Sequence, residues 1–571
     1  LKVRKANRMP EIIEVDVLVV GGGAAAQRAA IEAHRAGARV ALAIKGHLGV
    51  IGMRGSGATA SGTATDRRSL WPVAESGGVL ETAFEDIIQL GLGMADPDLV
   101  RIVVDETPIT ARRGLERLGV PFRGNIPGKS AFGIVPTLAV TIRRIDCQLC
   151  ENTMIAALLI HDGICVGALG IDELTGRLIA FKSGAVILGT GGAAQLFKHN
   201  VHPDCVTGDG YAMGYRSGAE LINLEFMQIF LGTAYPTVNN LANWVWAEDS
   251  RVYNSRNEEF LEKYLPAGAS LAEAKRQARR HSPFSTRDSL SRYLNVALMK
   301  EVMAGRGTNH DGIYMDLTSS KIRVPEERGA WLRHRGIEWD IQPLEVLVYL
   351  HCFLGGFHID RNARTNIRGL YAVGECTGGC YGADRHWGNM MSACQVFGAR
   401  AARHAVNWAT GTMQKQSFHD LLEAERERID FLKATHGRFK PGVIRKELQQ
   451  ASWNHLLALR TEAGLKKLLN TIDELEEEKL GNLSVEGIQE LIKALELQNM
   501  LLCGKIIGNA ALMRTESRGG HYREDYPEQD DANWLKSIIV KNLDGKMMFD
   551  TVALHADWRS RPDDMGSEHW G

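Results

Sequence analysis

The strongest constraint on what this chain can fold into lies near its start, where residues 15–20 form a short, nearly continuous apolar run. Such a run is the pattern of a strand buried on both faces of a parallel sheet. It leads directly into Gly21-Gly22-Gly23-Ala24-Ala25-Ala26 and then a helical stretch over residues 27–36. A strand that ends in glycines and enters a helix aims backbone N–H groups and the positive end of the helix dipole at one point, where a pyrophosphate can bind. Gly21 permits the tight turn, Gly23 lets a phosphate approach, and Ala26 takes the place of the third small residue that packs helix on strand. With Ala24 they are candidate cofactor-binding residues. A second strand over residues 39–44 ends at Ile44-Lys45, so Lys45 occupies the region where an acidic residue commonly holds a ribose.

Three further glycine-rich turns indicate one cofactor touched from several places. Ser56, Gly57 and Gly62 lie in a loop of small residues over 54–62; Thr190, Gly191 and Gly192 follow an apolar run over 185–188; Glu375 follows the run 369–374 and can accept hydrogen bonds from sugar or ribitol hydroxyls. At 571 residues the chain is long enough for two to four domains. A net charge of -1 argues against nucleic acid or an anionic membrane as the main partner. Nine cysteines, an odd number, fit a reducing, cytoplasmic setting better than a disulfide framework. Cys147 and Cys150 have the spacing of half a metal site, but no second pair accompanies them, and they read as ordinary thiols, as do Cys376 and Cys380. No metal is expected. Residues 1–10 are basic without the apolar stretch of a secretory signal. The longest apolar run, 130–142, is short and carries Pro136, so no membrane insertion is expected, and any membrane association would come through partner subunits.

Downstream the motifs become specific. They include Thr207-Gly208-Asp209-Gly210, Glu225-Phe226-Met227-Gln228, Thr286-Arg287-Asp288, His351 with Gly355-Gly356, Gly382-Ala383-Asp384-Arg385 with Gly388-Asn389, and Glu516-Ser517-Arg518-Gly519-Gly520-His521. In this combination the chain resembles the flavoprotein subunits of succinate dehydrogenase and fumarate reductase. The resemblance implies an α/β architecture: a Rossmann-like FAD-binding domain, an inserted α+β capping domain and a C-terminal helical domain. The expected segments are 1–229 and 345–412 for FAD binding, 230–344 for the cap, 413–520 for the helical domain and 521–571 as a tail. The sequence agrees independently: glycine-rich strand patterns lapse after Gln228 and return near Val346, while residues 416–498 carry amphipathic Leu/Ile spacing among dense charges.

The resemblance also implies the chemistry, hydride transfer between FAD and the C–C bond of a small organic acid. Arg287 would be the proton carrier. Because an arginine rarely gives up a proton, it needs a relay, and Glu248 with Arg251 fits the family spacing. His351 and Arg385 would bind the carboxylate, Arg385 through its fork of donors; Asp209, Arg385 and Asn389 would also meet the cofactor. An iron–sulfur subunit would exchange electrons with the flavin, since no cysteine cluster here could hold such a centre. Two departures bear on activity. Where the family has a histidine for one end of a dicarboxylate, this chain has Phe230, which suits a less polar substrate end. Where many members attach flavin through a histidine, this chain has Ser56-Gly57-Ala58-Thr59, so noncovalent FAD is expected. The stretch 131–154 is also shorter than the family's. The competing expectations are an amino-acid oxidase resembling L-aspartate oxidase and a noncatalytic electron-relay scaffold.

Overall fold

The structure is a computed structural model that describes residues 10–49, 77–120, 122–123, 126–127, 133–241, 243–281, 283–287, 289–322, 324, 326–385, 389–412 and 418–554. The first strand, β1 (Glu11–Val20), pairs in parallel on both sides, with β2 (Val40–Ala43) and with a long strand reached only after the chain has built an outer hairpin. Burial on both faces explains the unbroken apolar run: Val17, Leu18 and Val19 have no exposed surface. An edge strand, β3 (Cys147–Cys150), pairs parallel with β2, and β4 (Thr153–His161), β5 (Ile164–Asp172) and β6 (Leu178–Leu188) complete the order β3-β2-β1-β6-β5-β4. The late strand Leu370–Ala372 adds parallel to β6, so this sheet closes only when the chain returns from the cap.

Helix α1 (Ala24–Arg35) lies against the sheet and against α2 (Asn389–Thr412). The small residues make that possible: a Cβ on Gly189 would sit 2.8 Å from the Ala26 Cβ, and one on Gly398 would sit 2.8 Å from the Ala25 carbonyl oxygen. Most of the apolar run 130–142 forms the helix Ile134–Ile142, which buries Leu138 and Ile142 in the core beside α1. Cys147 and Cys150 both lie on β3, and residues three apart on a strand point to opposite faces, so the two thiols do not form a pair.

The inserted region is built on an antiparallel five-stranded sheet. Its strands are β7 (Met227–Thr233), β8 (Asn239–Asn240), β9 (Arg251–Tyr253), β10 (Ile313–Asp316) and β11 (Leu344–Phe353), in the order β8-β7-β11-β10-β9. β7 and β11 are thus the two strands by which the chain enters and leaves the cap. The C-terminal helices Phe418–Lys433, Pro441–Leu456 and Glu462–Glu474 surround α3 (Ile488–Met513), which is buried along most of its length. The described residues beyond 520, expected as part of a tail, are built into the fold: Lys536–Leu543 and Lys546–Ala553 form a hairpin that joins Leu221–Ile222 and Gly356–Phe357 in a four-stranded sheet.

A charge cluster, buried except for Asp531 at its edge, fastens these parts together. Arg514 at the end of α3 binds Glu225 and Glu516, each at 2.8 Å; Arg518 binds Glu516 at 2.8 Å and Asp531 at 2.6 Å. Arg460 donates to the Glu225 carbonyl at 2.8 Å and meets His521 closely. The motif Glu516–His521 is therefore a structural fastener beneath the start of β7. Its glycines have no room for a side chain: a Cβ on Gly520 would lie 1.9 Å from the Met227 carbonyl oxygen, and one on Gly519 would lie 2.1 Å from that of Ala383.

Candidate active site

The cofactor cradle comes first. Gly21 adopts φ +120°, and any Cβ there would strike the Gly189 carbonyl oxygen at 2.2 Å, so only glycine makes this turn. At Gly23, the N-cap of α1, a Cβ would meet nothing within 4 Å, which leaves open space at the helix N-terminus. Gly191 has φ +74°. Across from these turns, Asn389 is 1% exposed with neither side-chain amide atom hydrogen-bonded among the described residues, and the buried Ser392 hydroxyl also lacks a partner among them. Buried polar groups left this way cost stability unless a ligand satisfies them. Open space over a helix N-terminus and orphaned polar atoms at the N-terminus of α2 together fit a dinucleotide. Glu375 accepts from the Phe353 amide at 3.2 Å, and the Tyr211 hydroxyl ties the Glu375 and Gly355 carbonyls together at 3.1 Å each.

Lys45 and Asp209 are adjacent in space. The Lys45 ammonium binds Asp209 at 2.8 Å and Glu496 of α3 at 2.6 Å, and donates to Thr207 at 2.9 Å. Burial opposes the Lys45 charge, but the two carboxylates raise its pKa above the ordinary lysine value. These residues tie the end of β2 to the helical domain. Ser56, Gly57 and Gly62, and with them the proposed loop of flavin attachment, lie outside the described residues. His47 is mostly exposed, 3.6 Å from Glu151.

The residues expected to face substrate, His351 and Phe230, are organised by a register shift between β7 and β11. Gln228 pairs with Cys352 and Ile229 with Leu350, so His351 is the extra residue of a β-bulge. A bulge re-aims a side chain and frees backbone groups, and bulges recur beside active sites for that reason. The freed His351 carbonyl is taken by His202 Nε2 at 2.5 Å. His351 itself is buried, and burial, then Arg385 and His202, push its pKa well below the ordinary histidine value, so the imidazole is neutral near pH 7. The edge of its ring meets Phe230 at 4.6 Å between centroids, and Phe230 stacks on Tyr349 at 6.4 Å. With Val201 and Leu347 these two aromatics form a small apolar cluster separate from the main core.

Arg385 is 6% exposed, and its guanidinium approaches the Cys352 sulfur at 3.3 Å. Burial works against its charge, yet Cys352, Tyr381 and Glu375 raise its pKa, so it remains a cation. Burial pushes the Cys352 thiol up to about 11. Gln228 holds the Arg385 carbonyl at 3.0 Å and lies 3.7 Å from the same sulfur. His202, Gln228 and Cys352 were not singled out from sequence for these roles. Gln228 and Cys352 adjoin recognised motifs, whereas only the fold brings His202 to the bulge.

The capping residues are arranged differently. Arg287 is exposed, and among the described residues no hydrogen bond or ion pair engages its guanidinium; its amide lies 3.3 Å from the Ser285 hydroxyl. Glu248 is exposed, with its carbonyl accepting from Lys275. Arg251 starts β9, binds Glu259 at 2.8 Å and lies 4.3 Å over the Tyr253 ring. Among the described residues no hydrogen bond or ion pair joins Glu248, Arg251 and Arg287, and Arg251 is engaged in a local surface pair with Glu259.

Comparison with known proteins decides the family. A family model described as an FAD binding domain matches residues 16–137 and 129–391, and one described as the fumarate reductase flavoprotein C-terminus matches 445–562. A fumarate reductase (CoM/CoB) subunit from Methanothermobacter marburgensis is 32% identical over 565 residues, covering 93% of this chain and 97% of that protein. The chain belongs to the fumarate reductase/succinate dehydrogenase flavoprotein family. It is an FAD-dependent oxidoreductase acting on CH–CH bonds. Among solved structures, Mycobacterium smegmatis Sdh1 in complex with UQ1 superposes with a TM-score of 0.76 at 28% identity, covering 97% of this chain and 96% of that one. An L-aspartate oxidase of Streptomyces coelicolor is 27% identical, covering 93% of this chain and 92% of that enzyme. No helix among the described residues is long and apolar enough to cross a membrane.

Proposed function

We propose that this flavoprotein reduces the activated C=C bond of a small unsaturated acid whose far end is less polar than a second carboxylate. The observation that carries this reading is the edge contact between Phe230 and His351 at 4.6 Å, backed by Tyr349, Leu347 and Val201. A carboxylate placed against that wall would lose water without gaining a donor, whereas an alkyl or aryl group would bury apolar surface.

FAD, held noncovalently, supplies hydride at its ring. The residues of the chain do the rest. Arg385 grips the reacting carboxylate and stabilises the charge that builds beside it as the double bond is reduced. His351, kept neutral, offers a hydrogen-bond donor to the same acid. Arg287, turned inward from its exposed position, delivers a proton to the carbon beside the carboxylate while hydride adds to the other carbon, so that one hydride and one proton convert the alkene to the saturated acid. Electrons reach the flavin from an iron–sulfur protein, a partner supported by kinship with fumarate reductase and succinate dehydrogenase subunits. Any membrane association would come through such partners.

The test is anaerobic reduction of the purified flavoprotein followed by addition of fumarate, crotonate or cinnamate, with flavin reoxidation followed by absorbance. Crotonate or cinnamate should reoxidise the flavin faster than fumarate does; fumarate outpacing both would refute the apolar assignment. Acid precipitation should leave the yellow flavin in the supernatant, and colour in the pellet would refute noncovalent binding. Hydrogen peroxide released from L-aspartate in air would instead favour an oxidase.

A further inference from the structure

One buried carboxylate joins the two halves of this site. Asp384 immediately precedes Arg385 and is 2% exposed. One of its oxygens accepts the Arg385 amide at 2.8 Å. The other meets His281 Nε2 at 2.7 Å, and the Ser285 hydroxyl also bonds this carboxylate. His281 is the residue that terminates the capping helix Leu271–Arg280, while Ser285 lies two residues before Arg287. The short stretch between them is fastened at further points: the Phe284 amide donates to the Ile229 carbonyl at 2.8 Å, and the Thr286 amide to the Gly519 carbonyl at 2.9 Å. Ile229 is the residue beside the bulge that presents His351.

We infer that His281 and Asp384 form a latch between the cap and the cofactor domain, a pair of positioning residues that sets the Arg287-bearing segment in register with Arg385. This rests on the roles proposed above for Arg287 and Arg385. The physical argument is one of shared geometry. A buried carboxylate must be compensated, and here the groups that compensate it come from both sides of the site, so the cap segment cannot shift without stripping Asp384 of partners and disturbing the Arg385 backbone. Arg385 is separately held by Cys352 and Gln228, so losing the latch should misplace the proton carrier more than the carboxylate clamp.

The experiment uses the full FAD-loaded chain as wild type, His281→Ala, His281→Gln and Asp384→Asn, with kinetics on the best enoate and hydrogen–deuterium exchange. His281→Ala should lower kcat about tenfold or more while KM moves less than about threefold, because a small displacement of a reacting group costs rate more than binding. Peptides spanning 283–287 should exchange about tenfold faster. His281→Gln, whose amide can still donate to Asp384, should restore most of both. Unchanged exchange over 283–287 in His281→Ala, or the same kcat loss in His281→Gln as in His281→Ala, would overturn the latch. If the wild type turns over no enoate, the proposed function fails while the exchange comparison still decides the latch. Should Asp384→Asn not fold, the two His281 variants carry the test.

Discussion

The two faces of the substrate site differ in how firmly they are built. On the cofactor side, His351 and Arg385 are buried, one fixed by a strand bulge and the other by Cys352 and Gln228. On the cap side, Arg287, Glu248 and Arg251 reach solvent, and the closest charged partner of Arg251 is a surface glutamate. The half proposed to bind the carboxylate is therefore preorganised, while the half proposed to deliver the proton depends on one short segment and its fastenings. Preorganised charge is worth most where water is excluded, so the two halves should respond to mutation in different ways.

The largest effect is expected on the loosely held side. Arg287→Gln should reduce enoate turnover about 10³-fold, within the range that positioned proton transfer supplies, with FAD content unchanged. Stopped-flow reoxidation of the reduced protein measures it; a loss below twofold would make Arg287 an ordinary surface residue and leave the cap without chemistry.

Next comes the buried fastener under the firm side. Arg514→Met removes the cation shared by Glu225 and Glu516, all three of them without exposed surface. Glu516 keeps Arg518, but leaving the buried Glu225 carboxylate without its cation should cost roughly 3–5 kcal/mol, seen as a lower denaturant midpoint. A variant as stable as the wild type would mean that the Glu516–His521 motif is not what holds β7 in place.

Phe230→His tests the wall itself. Placing an imidazole where the phenyl ring meets His351 should shift the ratio of kcat/KM for fumarate over crotonate upward by about tenfold, since a site that can bond the far carboxylate favours the acid that has one. An unchanged ratio would put the far end of the substrate elsewhere.

What could be read from the sequence divides along the same line. The β1 run, the turn at Gly21 and the return strand before Glu375 were legible because each is a local pattern with one physical explanation. The Glu516–His521 signature was visible as a motif, but its use as a fastener was not, since its partner Glu225 is remote in sequence. The bulge at His351 could not be seen, because register is a property of two strands and only Gln228/Ile229 opposite Leu350 and Cys352 reveals it. Lys45 occupied the region of a ribose ligand in the sequence, yet its charge is shared with Glu496 from a helix that folds back onto β2. The strands of the C-terminal hairpin went unread because their half-exposed faces alternate weakly and their pairing partner is the two-residue strand Leu221–Ile222.

The smallest effect is expected where spacing and structure part most clearly. Glu248 and Arg251 match the three-residue interval of a proton relay, but a relay that reloads a group of very high pKa must be shielded from water, and Arg251 is 41% exposed in its side chain while paired with a Glu259 that is 64% exposed. Such a pair is screened by solvent and holds little energy. Arg251→Gln should therefore change kcat less than about twofold at saturating enoate, and Glu248→Gln likewise. A loss approaching that of Arg287→Gln would mean that the cap rearranges during turnover to bury both side chains behind Arg287, and the present arrangement of the site would then be its open form.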